Sequence, residues 1–351
     1  MPSDENMRRI HDGNFLYSPG YPMNKPVPEN QFHVARGNAQ GVDAGPLAGA
    51  VVAIGNFDGV HRGHRVVIGA ALKRARALGR KAAALTFSPH PRLFLRPQDS
   101  LFQLTSDRDK LRLLSATGLD GAVVMKFDAA LAATSAEDFV DKILVGALNV
   151  GGAVIGFDFH FGKNRAGSPN FLAEQGARVG FYVDVAPPLE DEGRPVSSGA
   201  VRAALAAGRV VEATELLGAP WFVSGEVIHG EKRGRTLGFP TANLKLDPYC
   251  GLKHGIYAVR VEFAGERHDG AASFGHRPMF DDGAPLLEVF LFDFDGDLYG
   301  QAIDVGFIGW IRHEQKFESV EALKKQMAAD VVQARDALQR SGGAFPLLGK
   351  V

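Results

Sequence analysis

Gly55-Asn56-Phe57-Asp58-Gly59-Val60-His61-Arg62-Gly63-His64 is the stretch from which the fold of this 351-residue chain can be read. Ahead of it, Ala50 to Ile54 is a short apolar run, which predicts a buried strand. Behind it, Val67, Ala70, Ala71 and Leu78 recur at helical spacing up to Gly79, which predicts a helix stopped by that glycine. His61 and His64 therefore fall where a strand hands over to a helix. In an open α/β sheet that is the ligand edge, and the helix N-terminus there favours anions. A spacing of three places the two imidazoles side by side in a first helical turn, each able to offer an N–H to a phosphate oxygen. Gly59 and Gly63 lack side chains, which leaves room for a nucleotide to approach the backbone. A metal pair joined by Asp58 is the competing reading. Zinc takes three or four protein ligands, however, and no cysteine pair completes the set.

Composition narrows the class. With 45% hydrophobic and 23% charged residues, the chain is that of a globular protein with two ordinary-sized domains. A net charge of −1 supplies no basic footprint for nucleic acid. Cys250 is the only cysteine, so no intramolecular disulfide forms, and a reducing, cytoplasmic setting is expected. No apolar run reaches the length of a membrane span. Residues 1–47, rich in Pro, Gly and Asn, are expected to form a mobile extension. Homo-oligomerisation is left open.

From residue 48 to 218, strands and helices alternate. Strands are expected at Ala82 to Phe87, Gly121 to Phe127, Ala153 to Ile155 and Phe181 to Val185. Helices are expected after Ser106 and Ser135, each followed three residues later by an aspartate. This order implies a parallel sheet with crossovers, a Rossmann-like α/β domain. Ser88-Pro89-His90-Pro91 closes the second strand at the binding edge. Phe157, Phe159 and Phe161 alternate, as on one face of a strand entering the core, which puts Asp158 on the other face. Farther on, Ser197, Ser198 and Arg202 open a short helix, and hydroxyls, exposed amides and a guanidinium together predict a phosphate clamp.

From residue 219 to 351 short strands replace the helices. They are expected at Phe222 to His229, Ala242 to Leu246, Ile256 to Phe263, Leu287 to Phe294 and Leu298 to Val305, the last two joined by a hairpin at Asp295-Gly296. A small β-barrel with a terminal helix from Ser319 follows, that helix packing through Val320, Leu323, Met327 and Val331. The loop Gly230 to Gly238 is glycine-rich and basic, with Gly234, Arg235 and Gly238 able to cradle phosphates. Thr241 and Asn243, two apart at a strand start, offer neutral oxygens to one side, which suits Mg²⁺ that shares its shell with phosphates. Asp293, Asp295 and Asp297 lack the glycine of a calcium loop and read as a solvated turn.

Two of these stretches carry a family resemblance. G-x-F-D-G-V-H-x-G-H and R-G-R-x-L-G-F-P-T-A-N together resemble the bacterial bifunctional riboflavin kinase/FAD synthetases, over about Ala50 to Asp330. The resemblance implies a nucleotidylyltransferase domain at 48–218 and a riboflavin kinase domain at 219–351. It implies phosphorylation of riboflavin by ATP to FMN, then adenylylation of FMN to FAD with release of pyrophosphate. Gly55, Phe57, Asp58, Gly59 and Gly63 then belong to the ATP site, with His61 and His64 on the transferring phosphate. Ser197, Ser198 and Arg202 hold the triphosphate, and His90, Asp158 and Phe161 border the flavin. Glu288 becomes the general base on the ribityl hydroxyl, because an alcohol attacking phosphorus must give up its proton. Gly199 departs from the family threonine, as do Ser273 from asparagine and Met279 from threonine. A kinase alone, with a degenerate first domain, and a non-catalytic flavin or metal carrier are the alternatives.

Overall fold

The structure is a computed structural model that describes residues 31–191, 193–229, 239–276 and 285–351. Its first sheet comprises β1 (His33–Asn38), β2 (Gly41–Val42), β3 (Val51–Ile54), β4 (Ala82–Ser88), β5 (Gly121–Lys126), β6 (Gly152–Gly156) and β7 (Tyr182–Ala186). The strand order is β2-β1-β5-β4-β3-β6-β7, parallel except for the β1–β2 pair. The chain passes from β3 to β4 and β5 on one side and returns to β6 on the other. The switch point therefore lies beside the C-terminal end of β3, where open α/β sheets bind ligands.

β1 corrects the expectation that everything before residue 48 is extension. His33 to Gly37 pair with Gly121 to Met125, and Val34 and Ala35 pack on opposite faces of the sheet. The strand escapes a hydrophobic reading because His33, Arg36, Gly37 and Asn38 dilute its two apolar residues.

The helices α1 (Arg62–Leu78), α2 (Pro91–Leu95), α3 (Asp107–Ser115), α4 (Ala129–Ala133), α5 (Ala136–Asp138), α6 (Pro169–Val179), α7 (Ser198–Ala206) and α8 (Val210–Leu217) connect and cover these strands. Gly79 ends α1 in the left-handed region, and Ser106 and Ser135 accept the N–H of the aspartate three residues on, as their sequence predicts. The Phe157–Phe161 segment is not a strand. It is a turn after β6, in which Phe157 is 51% exposed while Phe161 lies buried among Phe139, Phe159 and Phe171.

After a short ribbon of β8 (Glu190–Asp191) and β9 (Arg194–Pro195), the second sheet comprises β10 (Phe222–Glu226), β11 (Thr241–Lys245), β12 (Gly255–Phe263), β13 (Glu266–His276), β14 (Pro285–Leu291) and β15 (Ala302–Arg312). It is antiparallel in the order β10-β15-β12-β13-β14-β11. A bridge between Ile228 and Asn243 brings the two edges together, so the sheet is a nearly closed barrel. The hairpin expected at Asp295-Gly296 does not exist. β14 pairs with β11 and β13, while β15 starts four residues later than Leu298 and inserts between β10 and β12. β13 itself escapes the sequence reading, its charged start masking its alternation.

The terminal helix α9 (Val320–Arg340) is capped by Ser319. Val320 is exposed, and the helix packs chiefly through its second half by Asp330, Ala334 and Leu338. Asp330 is buried because Arg312 binds it through two nitrogens, at 2.7 and 2.6 Å. The barrel core does not stop at residue 219. Val201, Ala204, Leu205, Val210, Ala213, Leu216 and Leu217 of α7 and α8 lie in the same apolar cluster as Tyr257, Phe274 and Phe307. Beyond α9 the tail crosses to the α/β side, where Leu348 joins the core beneath α1 and Gly349 donates its N–H to the Arg112 carbonyl at 3.0 Å.

Candidate functional site

β3 delivers the chain into a turn that holds three left-handed residues, Phe57 (φ 51°), Gly59 (φ 82°) and Val60 (φ 43°). Left-handed conformation in a β-branched residue is costly, and here Val60 is held in it by complete burial. The turn ends at His61, the N-cap of α1, whose Nδ1 accepts the His64 N–H at 3.3 Å. The two imidazoles stack with centroids 3.6 Å apart, and the buried Phe57 ring meets His64 edge-on at 5.2 Å. Nδ1 of His64 is buried with no hydrogen-bond partner. Burial, with the Arg202 charge adding to it, lowers His61 to about 4. Burial, with His61 adding to it, sets His64 well below its ordinary value. Both rings are therefore neutral near pH 7, each with one N–H donor.

The glycines make way for neighbouring protein groups. A side chain at Gly59 would meet Leu104 at 2.9 Å, and one at Gly63 would meet the Val196 carbonyl at 3.0 Å and the His61 ring at 3.1 Å. Gly55 in turn makes way for the Phe57 ring, 3.2 Å from where its Cβ would be. The direction a Cβ would take at Gly59 and Gly63 is filled by neighbouring protein groups.

Asp58 is turned into the protein. It is 4% exposed and accepts the N–H groups of Leu104 (2.9 Å) and Thr105 (3.1 Å), the Thr105 hydroxyl (3.3 Å) and the Arg202 guanidinium. Its carbonyl accepts the Ser198 hydroxyl at 2.9 Å. Ser197 caps α7 by accepting the Ala200 N–H, and Arg202 Nε donates to the Phe102 carbonyl at 2.5 Å. The clamp helix is thus bound to the histidine loop through Asp58. Leu104 and Thr105, some 46 residues away in sequence, are the functional neighbours that sequence reasoning misses. Their only signal is the Ser106 cap immediately after them.

His90 caps α2 at the end of β4, the strand beside β3. Burial lowers it to about 4, against the pull of Asp58 and with Arg202, Lys110 and Arg92 contributing. It therefore stands within electrostatic reach of the same Asp58–Arg202 pair. Asp158 sits exposed on the turn after β6, at the same edge of the sheet. Phe161, expected against the flavin, is a core residue. Among the described residues no three His, Cys, Asp or Glu side chains group as metal ligands. Cys250 is pushed up to about 11 by burial, as for an inert thiol.

The barrel forms a second constellation. Asn243 on β11 lies opposite Glu288 on β14, and Glu288 lies opposite Ser273 on β13, so three polar residues form one row across three strands. Core residues Leu244, Leu287, Val289, Ala272 and Phe274 alternate with them, which sets the row on the outer face. Asn243 donates its amide N–H to the Thr241 carbonyl at 3.3 Å, which leaves its amide oxygen as an acceptor. Phe239 meets Phe290, the residue opposite Thr241, edge-on at 5.1 Å. The expected phosphate cradle of Gly234, Arg235 and Gly238 lies outside the described residues, as does Met279.

Known proteins match both halves. The FAD synthetase family model matches residues 45–200 and the riboflavin kinase family model residues 217–338. The bifunctional riboflavin kinase/FMN adenylyltransferase of Pseudomonas fluorescens is 42% identical over 288 residues, 82% of this chain and 92% of that protein. Its counterpart in Escherichia coli strain K12 is 39% identical over 292 residues, 83% of this chain and 93% of that protein. A solved structure described as a macrolide-efflux protein from Streptococcus pneumoniae has a TM-score of 0.75 at 34% identity, covering 82% of this chain and 94% of that one. Among the described residues no helix is long and apolar enough to cross a membrane. The chain belongs to the bifunctional riboflavin kinase/FMN adenylyltransferase family, and it converts riboflavin to FMN and FMN to FAD at the expense of ATP.

Proposed function

We propose that the two activities divide between the two constellations. Residues 48–218 adenylylate FMN at the β3–α1 junction, and residues 219–351 phosphorylate riboflavin at the Asn243–Glu288 row. The observation that carries the reading is the convergence of His61, His64, His90 and Arg202 at one strand–helix junction. Two neutral imidazoles at the N-terminus of α1 present N–H groups where negative charge builds on the α-phosphate as the FMN phosphate attacks it. Fixed donors in a dry site stabilise that charge without reorganising. Arg202, with the α7 amides beyond Ser197, would hold the departing pyrophosphate, and Asp158 would hold substrate at the neighbouring strand end. No covalent intermediate is required, since positioning and charge stabilisation suffice for phosphoryl-type transfer.

In the barrel, Glu288 would accept the proton of the ribityl hydroxyl as it attacks the γ-phosphorus of ATP. The amide oxygen of Asn243 and the Thr241 hydroxyl, neutral donors on the same side, fit a Mg²⁺ shared with the nucleotide. When bound, that ion would neutralise phosphate charge. Pure protein incubated with riboflavin, ATP and Mg²⁺, sampled over time, tests the division. FMN should appear first and then convert to FAD, and His64→Ala should stop the chain at FMN. FAD formation at the normal rate in His64→Ala would remove the histidine pair from the reaction.

A further inference from the structure

We infer that two barrel residues, Asp304 and Trp221, are positioning residues for FMN adenylylation, acting through the 102–112 segment on Asp58 and Arg202. The inference rests on the assignment of His61, His64 and Arg202 to that reaction.

The connection is continuous and mostly buried. Arg112 on α3 binds Asp304 of β15 through two nitrogens, at 2.8 and 2.5 Å, with side chains 16% and 13% exposed. The same guanidinium reaches Asp109 at 3.1 Å. Ser224 of β10 lies 2.8 Å from Asp109 and 2.5 Å from Asp304, its single hydroxyl proton going to one of them. Asp109 in turn is tied to Ser106, accepting its hydroxyl at 2.6 Å while its own N–H donates back at 3.0 Å. One and two residues earlier stand the Thr105 and Leu104 amides that hold Asp58. From the other side, Trp221 donates its indole N–H to the Leu104 carbonyl at 2.8 Å. Its ring stacks on Phe307 at 5.0 Å and meets Phe102 edge-on at 5.6 Å. Phe102 carries the carbonyl that accepts from Arg202.

The peptide unit that gives its Thr105 N–H to Asp58 also gives its Leu104 carbonyl to Trp221, and the Phe102 ring beside the carbonyl that holds Arg202 packs on the Trp221 ring. All five acceptor contacts of the Asp58 carboxylate go to Leu104, Thr105 and Arg202, and none to the turn on which it stands. A carboxylate in such a setting transmits displacement, because small misplacements of binding groups cost rate steeply. Asp304 and Trp221 are not members of the Asn243–Glu288–Ser273 row, so the kinase reaction gives an internal control.

The test measures both reactions separately on the full-length chain, for Asp304→Asn, Trp221→Phe, Asp58→Asn, the Asp304→Asn/Asp58→Asn double variant and His64→Ala. Trp221→Phe deletes one N–H and keeps the stacking, so it decides the matter if Asp304→Asn does not fold. The expected result is a rise in KM for ATP or a fall in kcat of about tenfold in FAD formation, with FMN formation within about twofold of the parent. The double variant should be no worse than the poorer single one, as for two residues acting through one connection. Penalties that multiply in the double variant would overturn the inference, as would equal losses in both reactions or normal FAD formation in both barrel variants. His64→Ala separates the two levels. If it retains FAD formation, the site assignment fails. If it is inactive while the barrel variants are normal, only the inference fails.

Discussion

The two constellations are built in opposite ways. At the β3–α1 junction nearly every polar atom is already bound to protein. His61 holds His64, Asp58 holds Leu104, Thr105 and Arg202, and Ser198 holds the Asp58 carbonyl. The barrel row is instead aligned by strand register along the outer face of a sheet, with Asn243 buried at 4% exposed. A preassembled junction suits a reaction whose difficulty is charge on a phosphate, because its donors are fixed before substrate arrives. A row set by register suits a proton acceptor and a cation site, which depend on spacing along strands. Losing one group at the junction should therefore disturb its neighbours, whereas the row keeps its spacing through the backbone pairing of β11, β14 and β13.

The widest separation comes from His64→Ala. FAD formation should fall by about 10³-fold, as for loss of a transition-state donor, with FMN formation retained. Timed chromatography of riboflavin, FMN and FAD reads it, and parallel losses with the fold intact would erase the distinction between the two regions. Glu288→Gln should lower FMN formation by about 10²-fold or more, the usual worth of a general base. Riboflavin binding, measured by fluorescence, and FAD formation from supplied FMN should both persist. A variant that makes FMN normally removes Glu288 from the chemistry.

Acid should discriminate as well. His61, His64 and His90 have folded values below the ordinary 6.5. Above that value neither the folded nor the unfolded chain protonates them, and they give no slope. Between about 6.5 and about 4 the unfolded chain takes up protons that the folded chain refuses, so stability is lost as pH falls. Thermal unfolding followed from pH 7 to pH 4.5 should show a falling midpoint, and the fall should be smaller in a His61→Asn/His90→Gln variant. The smallest effect is a gain. A Cβ at Gly199 would have Ser197 Oγ, 3.6 Å away, as its nearest contact, an ordinary van der Waals distance, so Gly199→Thr is expected to restore the family hydroxyl. An improvement of about two- to fivefold in KM for ATP in FAD formation is expected, the worth of one modest hydrogen bond. No change would mean that the hydroxyl is dispensable in this chain.

Local chemistry was readable in advance and distant chemistry was not. The strand–turn–helix of Ala50 to Gly79 follows from periodicity and two glycines, and the structure reproduces it with Gly79 as the cap. The partners of Asp58 do not follow, because Leu104, Thr105 and Arg202 reach it only through the fold. Phe161 misled for a related reason: alternation over five residues suits a strand, but the turn after β6 sends Phe157 outward and Phe161 into the core. In the barrel, Asn243 and Glu288 were found separately. That they face one another depends on β14 pairing with β11, which the false hairpin at Asp295-Gly296 concealed.

The shared core of α7, α8 and the barrel, together with the tail on α3, bears on how such a gene can be recombined. A crossover at residue 218 would hand the clamp helix a foreign hydrophobic partner. A crossover before Ser197 would spare that packing, but it would part Arg202 from the Asp58 it binds. Either graft would also bring an unfamiliar terminus to Arg112. No single cut exchanges one activity cleanly for that of a homologue, so the two enzymes are expected to be inherited as a unit.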